Sequence, residues 1–399
     1  MSAATSSKPG HLLLYEPRTE GHHVSWLRFI TEDLLSTGIQ LTLAVDQRPE
    51  HEAKIRDHLG DLLSNVTLIN ARDPSDRSPG DRASAVAHCL RRSGADNVFL
   101  CAFDEIASDC WRRATFGRFP PPELRGHLGG IYHRPRFMAS QWSPRSWLKQ
   151  LGFRRVIGQQ WLRQLVFLDE YLTRDLQEKF PDAPISFLPV PCPESIMEDS
   201  AAARRQLGIP TDKRVFLFYG GGYKRKGLHL AVRAMLELAP ELPAFLLCVG
   251  QQNPQGETAR GLEELVRQNR ALLINRYVTT AEESLSFAAS DVALLPYLQH
   301  YGASGVLGQA VAARRMVIVS DEQLLGRLTR DHGLGLLFTS GNVTELRGCL
   351  EEAIRMGPEQ IASYSKAAER YATLCSRAAY RRALTQAILN APNSPANHG

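Results

Sequence analysis

Two segments of this 399-residue chain combine residue types that could hold and polarise a diphosphate. The first runs Tyr219-Gly220-Gly221-Gly222-Tyr223-Lys224-Arg225-Lys226-Gly227, after one apolar run and before a helix-compatible stretch. Glycines let a backbone approach a ligand closely, and cations entering a helix supply charge for a diphosphate. The order of residues is neither the Gly-Lys-Ser/Thr of a Walker loop nor GxGxxG. A solvated basic turn would read the same way. In the second segment, VALLPY (292–297) gives way to a loop ending in Gly302-Ala303-Ser304-Gly305, which opens a helix at about Ser304. Unpaired N–H groups there, at the positive end of a helix dipole, form an anion site. The plainer alternative is a β-α-β crossover with a glycine-rich cap.

Such loops need strands to carry them. Thirteen short apolar runs recur along the chain, each followed by a polar, helix-compatible stretch. In the first half they are 11–17, 40–45, 65–70, 97–103, 129–133, 165–170 and 185–190. In the second they are 214–220, 244–250, 271–277, 292–297, 316–321 and 334–338. Runs apolar on both faces predict parallel strands covered by helices on both sides, and strand alternating with helix predicts doubly wound α/β sheets. Ligands of such sheets bind beyond the carboxyl ends of the strands. Pro189, Pro191 and Pro193 read as a stiff connector. The expected organisation is an N-terminal domain over 1–192, a C-terminal domain over 193–359, and a helix over 360–390 returning to the first; the two domains should face each other across a shared cleft.

Composition excludes several classes. Hydrophobic residues make up 43% and charged residues 22%, as in an ordinary globular protein. A net charge of +5 is too mild to indicate nucleic-acid binding, and the basic residues are not interleaved along a groove-like element. The seven cysteines are scattered, without a CxxC pair, which fits a reducing compartment and no structural zinc. The polar first ten residues and the lack of a run of about 18 apolar residues predict a cytoplasmic protein, at most peripheral to the inner face of a membrane.

Taken together, the two glycine-bearing segments resemble the donor-binding half of GT-B glycosyltransferases, in particular the retaining family 4 (glycosyltransferase group 1) enzymes. The resemblance rests on Lys226-Gly227 after the first strand, on Ala289-Ser290-Asp291 before a strand ending in Pro296, and on the Gly-rich loop with the Gln309-Ala310 helix that follows. It covers roughly residues 214–356 well and the first half more loosely. It implies a GT-B fold of two Rossmann-like domains and transfer of a sugar from a nucleotide-diphosphate sugar, with retention, in polysaccharide biosynthesis. The expected acceptor is a glycan or a lipid-linked sugar, with no cofactor beyond the co-substrate and no metal, since no Asp-x-Asp motif is present.

Carried over residue by residue, the resemblance places Lys226 on the donor diphosphate, with Gly222 and Arg225 beside it. The amides of Ser304, Gly305 and Val306 fall on the distal phosphate. Arg276, Tyr277 and Val278 should lie beside the base, and Gln309 replaces the usual ribose-binding Glu, a role its carbonyl oxygen can fill. In the first half, Gly21, His22 and His23 match an acceptor loop, and His133 a histidine directed at the reacting sugar. Asp104 and Glu105 follow the fourth strand as further acceptor candidates, and each of these residues also has a plainer reading as an ordinary turn residue. Charge growing on the leaving diphosphate would be met by Lys226 and the 304–306 amides. Two positions depart from the family: Gly221 stands where an Arg is usual, which Lys224 or Arg225 could replace, and Tyr301 stands where a Glu meets the donor sugar. They motivate a rival reading, a catalytically silent GT-B protein that binds a nucleotide sugar or a partner.

One further segment, 142–163, sets Arg145, Lys149, Arg154, Arg155 and Arg163 among Trp142, Trp147, Phe153 and Trp161, with no acidic residue. Either it is an interfacial helix on anionic lipid, or its aromatics pack inward and its basic face is solvated.

Overall fold

In the computed structural model, residues 10–19, 23–72, 81–139, 143–193 and 199–389 are described. Each apolar run forms a strand. The first half carries β1 (His11–Glu16), β2 (Gln40–Val45), β3 (Thr67–Asn70), β4 (Asn97–Leu100), β5 (Leu128–Tyr132), β6 (Leu162–Phe167) and β7 (Ile185–Phe187). The second carries β8 (Arg214–Tyr219), β9 (Ala244–Val249), β10 (Ala271–Ile274), β11 (Val292–Leu295), β12 (Met316–Ser320) and β13 (Gly335–Phe338). They form a seven-stranded sheet in the order β3-β2-β1-β4-β5-β6-β7 and a six-stranded sheet in the order β10-β9-β8-β11-β12-β13. Neighbouring strands pair in parallel throughout both sheets. The strand order reverses between β1 and β4 and between β8 and β11, and at these points the loops diverge and open a crevice for ligands.

The chain divides into two compact units, 1–188 with 381–399, and 189–380. The core of the first unit gathers Phe103, Trp111, Phe153 and Phe167, and that of the second Phe216, Phe218, Leu246, Ile318 and Phe338. Two helices stand where one was expected over 360–390. Pro358–Leu374 belongs to the second unit, and Arg377–Leu389 restarts at Ser376, whose hydroxyl accepts the Ala379 amide at 3.2 Å. From Arg381 onward the chain joins the first unit, where Arg381 pairs with the buried Asp33 at 3.8 Å. The segment contains neither Gly nor Pro, so its polar pattern gave no sign of the break.

One contact fixes helix packing in the first unit. Gly152, in the helix Pro144–Gly158, lies against the helix Asp104–Ala114 so closely that an added Cβ would sit 1.7 Å from the Trp111 carbonyl oxygen. Trp111 is fully buried, with the Phe153 ring edge-on at 5.3 Å. Gly152→Ala must therefore push the two helices apart, and we expect its urea midpoint to drop by the equivalent of about 1–3 kcal/mol. Gly158, on the same helix, faces open space. Gly158→Ala serves as the control and should leave the midpoint unchanged or slightly raised.

Candidate donor site and acceptor-side cluster

In the second unit, the loops after β8 and β11 are joined by short contacts. Gly227 takes a left-handed conformation (φ +76°), and a Cβ there would fall 1.9 Å from the Pro296 carbonyl oxygen. Only glycine meets both conditions, which accounts for the Lys-Gly pair. The Leu298 amide donates to the Arg225 carbonyl at 2.8 Å. Lys226 extends its ammonium to the Tyr297 hydroxyl at 2.7 Å, with Nζ 3.9 Å from the centre of that ring. Burial, reinforced by the neighbouring Arg225, brings the Lys226 amine down to about 8. Burial also pushes the Tyr297 phenol up to about 12, so it stays protonated at neutral pH. A half-buried ammonium of this kind gains much from an incoming anion, which would restore the solvation it has lost.

The helix Gly305–Ala312 begins beside this pair. Gly305 is exposed, with open space where a Cβ would be, so its amide is accessible. Ser304 is the N-cap, yet its side chain caps nothing; its buried hydroxyl lacks a partner at hydrogen-bond geometry, although it lies near enough to Tyr297 to favour the phenolate. Arg225 reaches from the first loop to His300 of the second, Nη1 to Nδ1 at 3.3 Å. This sets an exposed guanidinium between the two loops. Gln309 is half-buried on the helix and Tyr301 half-buried in the loop before it.

The glycine loop rests on Gln252, a residue that nothing in the sequence marks. Its side-chain amide donates to the Gly220 carbonyl and its backbone N–H to Asn275 Oδ1 at 2.7 Å. A Cβ on Gly222 would lie 2.7 Å from the Asn253 amide nitrogen, so a side chain there would break this contact. Gln252 thus links the glycine loop to the stretch carrying Arg276, Tyr277 and Val278. Arg276 is paired with Glu282, whose carboxyl that hydrogen bond holds down at about 2, while Tyr277 is 84% exposed. The Ala289-Ser290-Asp291 signature serves the fold. Asp291 lies before β11, accepting the Val215 amide at 2.8 Å and pairing with Arg204 at 2.7 Å.

In the first unit, the ends of β1, β4 and β5 gather a second group. His133 Nε2 lies 2.8 Å from the Cys101 carbonyl oxygen, which can only accept, so Nε2 carries the proton and Nδ1 keeps its lone pair. Burial holds the ring below the usual histidine range, and the Trp26 ring stands edge-on at 5.4 Å. The result is a neutral, oriented imidazole. Asp104 is occupied from below: its two oxygens accept the His133 and Arg134 amides at 2.8 and 3.0 Å. It positions the turn that bears His133. Glu105 is paired with Arg18 and Arg82. His23 opens the helix His23–Leu35 and donates from Nδ1 to the buried Glu16 at 3.0 Å. Gly21 and His22 lie outside the described residues.

The basic, aromatic segment after the fifth strand is largely engaged. Phe153 and Trp161 are buried, the latter stacked on Phe119 at 5.5 Å. Arg155 donates to the Thr115 carbonyl and Lys149 to Ser108. Trp147 remains 52% exposed, between the exposed Arg145 and Arg154, and Trp142 lies outside the described residues. Among the described residues no helix is long and apolar enough to cross a membrane.

A family described as "Glycosyl transferases group 1" matches residues 213–355. No curated protein sequence matches the chain significantly. Among solved structures, a glycosyltransferase from Rickettsia africae ESF-5 superposes with a TM-score of 0.69 at 13% identity, covering 96% of this chain and 100% of its own. Anabaena Alr3699/HepE in complex with UDP gives 0.68 at 14%, covering 96% and 100%. WaaG, a glycosyltransferase involved in lipopolysaccharide biosynthesis, gives 0.63 at 16%, covering 95% and 99%. At such identities these likenesses establish the fold. The chain has the two-sheet GT-B architecture, and its similarity to the group 1 glycosyl transferases spans residues 213–355 of the second unit.

Proposed function

We propose that the protein transfers a sugar from a nucleotide-diphosphate sugar to a glycan or lipid-linked acceptor, with retention and without a metal or resident cofactor. The observation that carries this reading is Lys226, half-buried on Tyr297 beside the accessible N-terminus of the helix Gly305–Ala312. In the reaction, the bond from the anomeric carbon to the diphosphate oxygen breaks, the acceptor hydroxyl oxygen bonds that carbon on the same face, and the hydroxyl proton passes to the departing diphosphate. Negative charge gathers on the distal phosphate, where Lys226, Arg225 and the amides of Ser304, Gly305 and Val306 stabilise it. Gly222 lets the backbone approach the diphosphate. Tyr277 and Val278 flank the base, Gln309 bonds the ribose, and Tyr301 meets the donor sugar. On the acceptor side, His133 offers Nδ1 to a hydroxyl of the reacting sugar, Asp104 holds it in place, and Gly21, His22 and His23 border the acceptor. Arg145, Trp147 and Arg154 offer a contact to anionic lipid for a lipid-linked acceptor.

A second reading is favoured by Gly221 and Tyr301, which remove a cation and a carboxylate that relatives use. On that reading the protein binds a nucleotide sugar, or a partner, without turnover.

Calorimetric titration with UDP, GDP and ADP separates the two. UDP is the first choice because Anabaena HepE was solved with UDP and with UDP-glucose. One nucleotide should bind, and Lys226→Ala should weaken it about tenfold or more, the worth of a charge-assisted contact. Turnover of the matching nucleotide sugar supports the enzyme, and binding without transfer or hydrolysis supports the silent reading. If none of the three binds, the donor site is not functional. In the active case, His133→Ala should lower kcat by about a hundredfold while nucleotide affinity stays unchanged.

The depressed Lys226 amine gives a pH signature. Below about pH 8 it is charged in the free protein and meets the diphosphate directly. Above that value binding must first take up a proton, so affinity falls as pH rises. Between about pH 7.5 and about pH 9.5 nucleotide affinity should fall about tenfold in the wild type. It should stay flat in Lys226→Arg, whose guanidinium does not titrate in that range. Identical profiles would rule out Lys226 as the titrating group.

A further inference from the structure

Four arginines that stand far apart in the sequence meet over the carboxyl ends of β1 to β4. Each of two buried carboxylates is shared by two of them. Glu105 takes Arg18 and Arg82, the latter at 2.9 Å. Asp46 takes Arg48 at 2.8 Å, through a two-pronged contact, and Arg72 at 3.4 Å. Thr19, next in the chain to Arg18, and Arg48 both contact His51, which brings the two pairs side by side. Asp46 is 1% and Glu105 9% exposed, whereas the four arginine side chains are between 42% and 63% exposed. The negative charge therefore lies inside and the guanidinium forks outside. His51 extends the layer, 3.1 Å from Arg48 Nη2 and 2.7 Å from the Thr19 hydroxyl. At the rim, Glu50 neutralises part of Arg48 at 3.3 Å.

A lone structural ion pair needs one arginine per carboxylate. Here four arginines face Asp46, Glu105 and the rim residue Glu50, which leaves a net positive charge on planar forks already oriented from beneath. Such forks suit phosphate or carboxylate oxygens, which they bind through paired hydrogen bonds. We propose that this layer is an anion subsite, and that the acceptor carries a phosphate or carboxylate group held by Arg18, Arg48, Arg72 and Arg82. The inference rests on the reading of the first unit as the acceptor half. It narrows that acceptor from any glycan or lipid-linked sugar to an acidic one.

The test uses the full chain saturated with UDP, so that the diphosphate site cannot take up the probe. Glucose 6-phosphate, glucuronate and glucose are titrated by calorimetry. The phosphate sugar or the carboxylate sugar should bind at least about tenfold tighter than glucose, and whichever does so names the anion. Arg72→Gln with Arg82→Gln removes one arginine from each carboxylate and leaves Arg48 and Arg18 to neutralise Asp46 and Glu105. The double variant should therefore fold, retain wild-type UDP affinity, and lose about tenfold in affinity for the anionic sugar while its binding of glucose is unchanged. The subsite is refuted if neither anion binds better than glucose, or if the double variant binds the anion as well as the wild type. Failure of UDP to bind would instead count against the donor reading. In that case the same titrations are run on Lys226→Ala, whose diphosphate site is weakened, and the same two outcomes decide the subsite.

Discussion

In a sheet whose strands all run the same way, every strand must be followed by a covering crossover, and every carboxyl end opens on the same edge. Both sheets of this chain obey that constraint, and the rest of the structure follows from it. The amino ends carry structural polar groups: Asp291 with Arg204 and the Val215 amide, and Asp96 with the His11 amide. The carboxyl ends carry Glu16, His23, Asp104 and His133 in one unit, and Lys226, Tyr297 and Ser304 in the other. Folding brings residues from distant stretches of each unit to one edge because the topology leaves no other place for the loops.

Polar groups at that edge are sorted by what lies beneath them. Asp104 and Asp46 are nearly used up by local hydrogen bonds, so they act as props. Lys226 and His133 are each held by one neutral partner, and each has an atom outside that contact: an ammonium proton in one case, an imidazole lone pair in the other. The charge of Lys226 is only partly solvated by Tyr297, and the charge of an anion restores what the protein withholds. On the proposed function, pre-orientation of this kind would stabilise the leaving group without reorganisation during the reaction.

The sequence was legible wherever the signal was local. All thirteen apolar runs became strands because burial on both faces demands continuous apolar residues, whatever the helices between them do. Lys226-Gly227 was legible because a left-handed residue pressed against a carbonyl can only be glycine. The partner of Lys226 was not, since Tyr297 is 71 residues away and reads as the end of a strand. Gln252, which braces the glycine loop, looks like any polar residue after a strand. Asp104 was legible as a residue of the site's edge but not as a prop, because a carboxylate after a strand serves a backbone amide as readily as a ligand. The arginine layer left no mark in the sequence, since Arg18, Arg48 and Arg72 each follow a different strand and Arg82 opens the helix Arg82–Ser93. The break at Ser376 was hidden by the lack of any glycine or proline.

The return of the chain to the first unit at Arg381 bears on how the protein is made. The first unit buries Asp33, and Arg381, which pairs with it, is separated from it by the whole of the second unit. On the ribosome the amino-terminal sheet emerges first yet must wait for its last helix while the entire second unit is synthesised. That contiguous second unit can meanwhile complete its own core. The half that leaves the tunnel first is thus the one that matures last, and a fragment ending at the proline-rich connector would never acquire the helix that completes it.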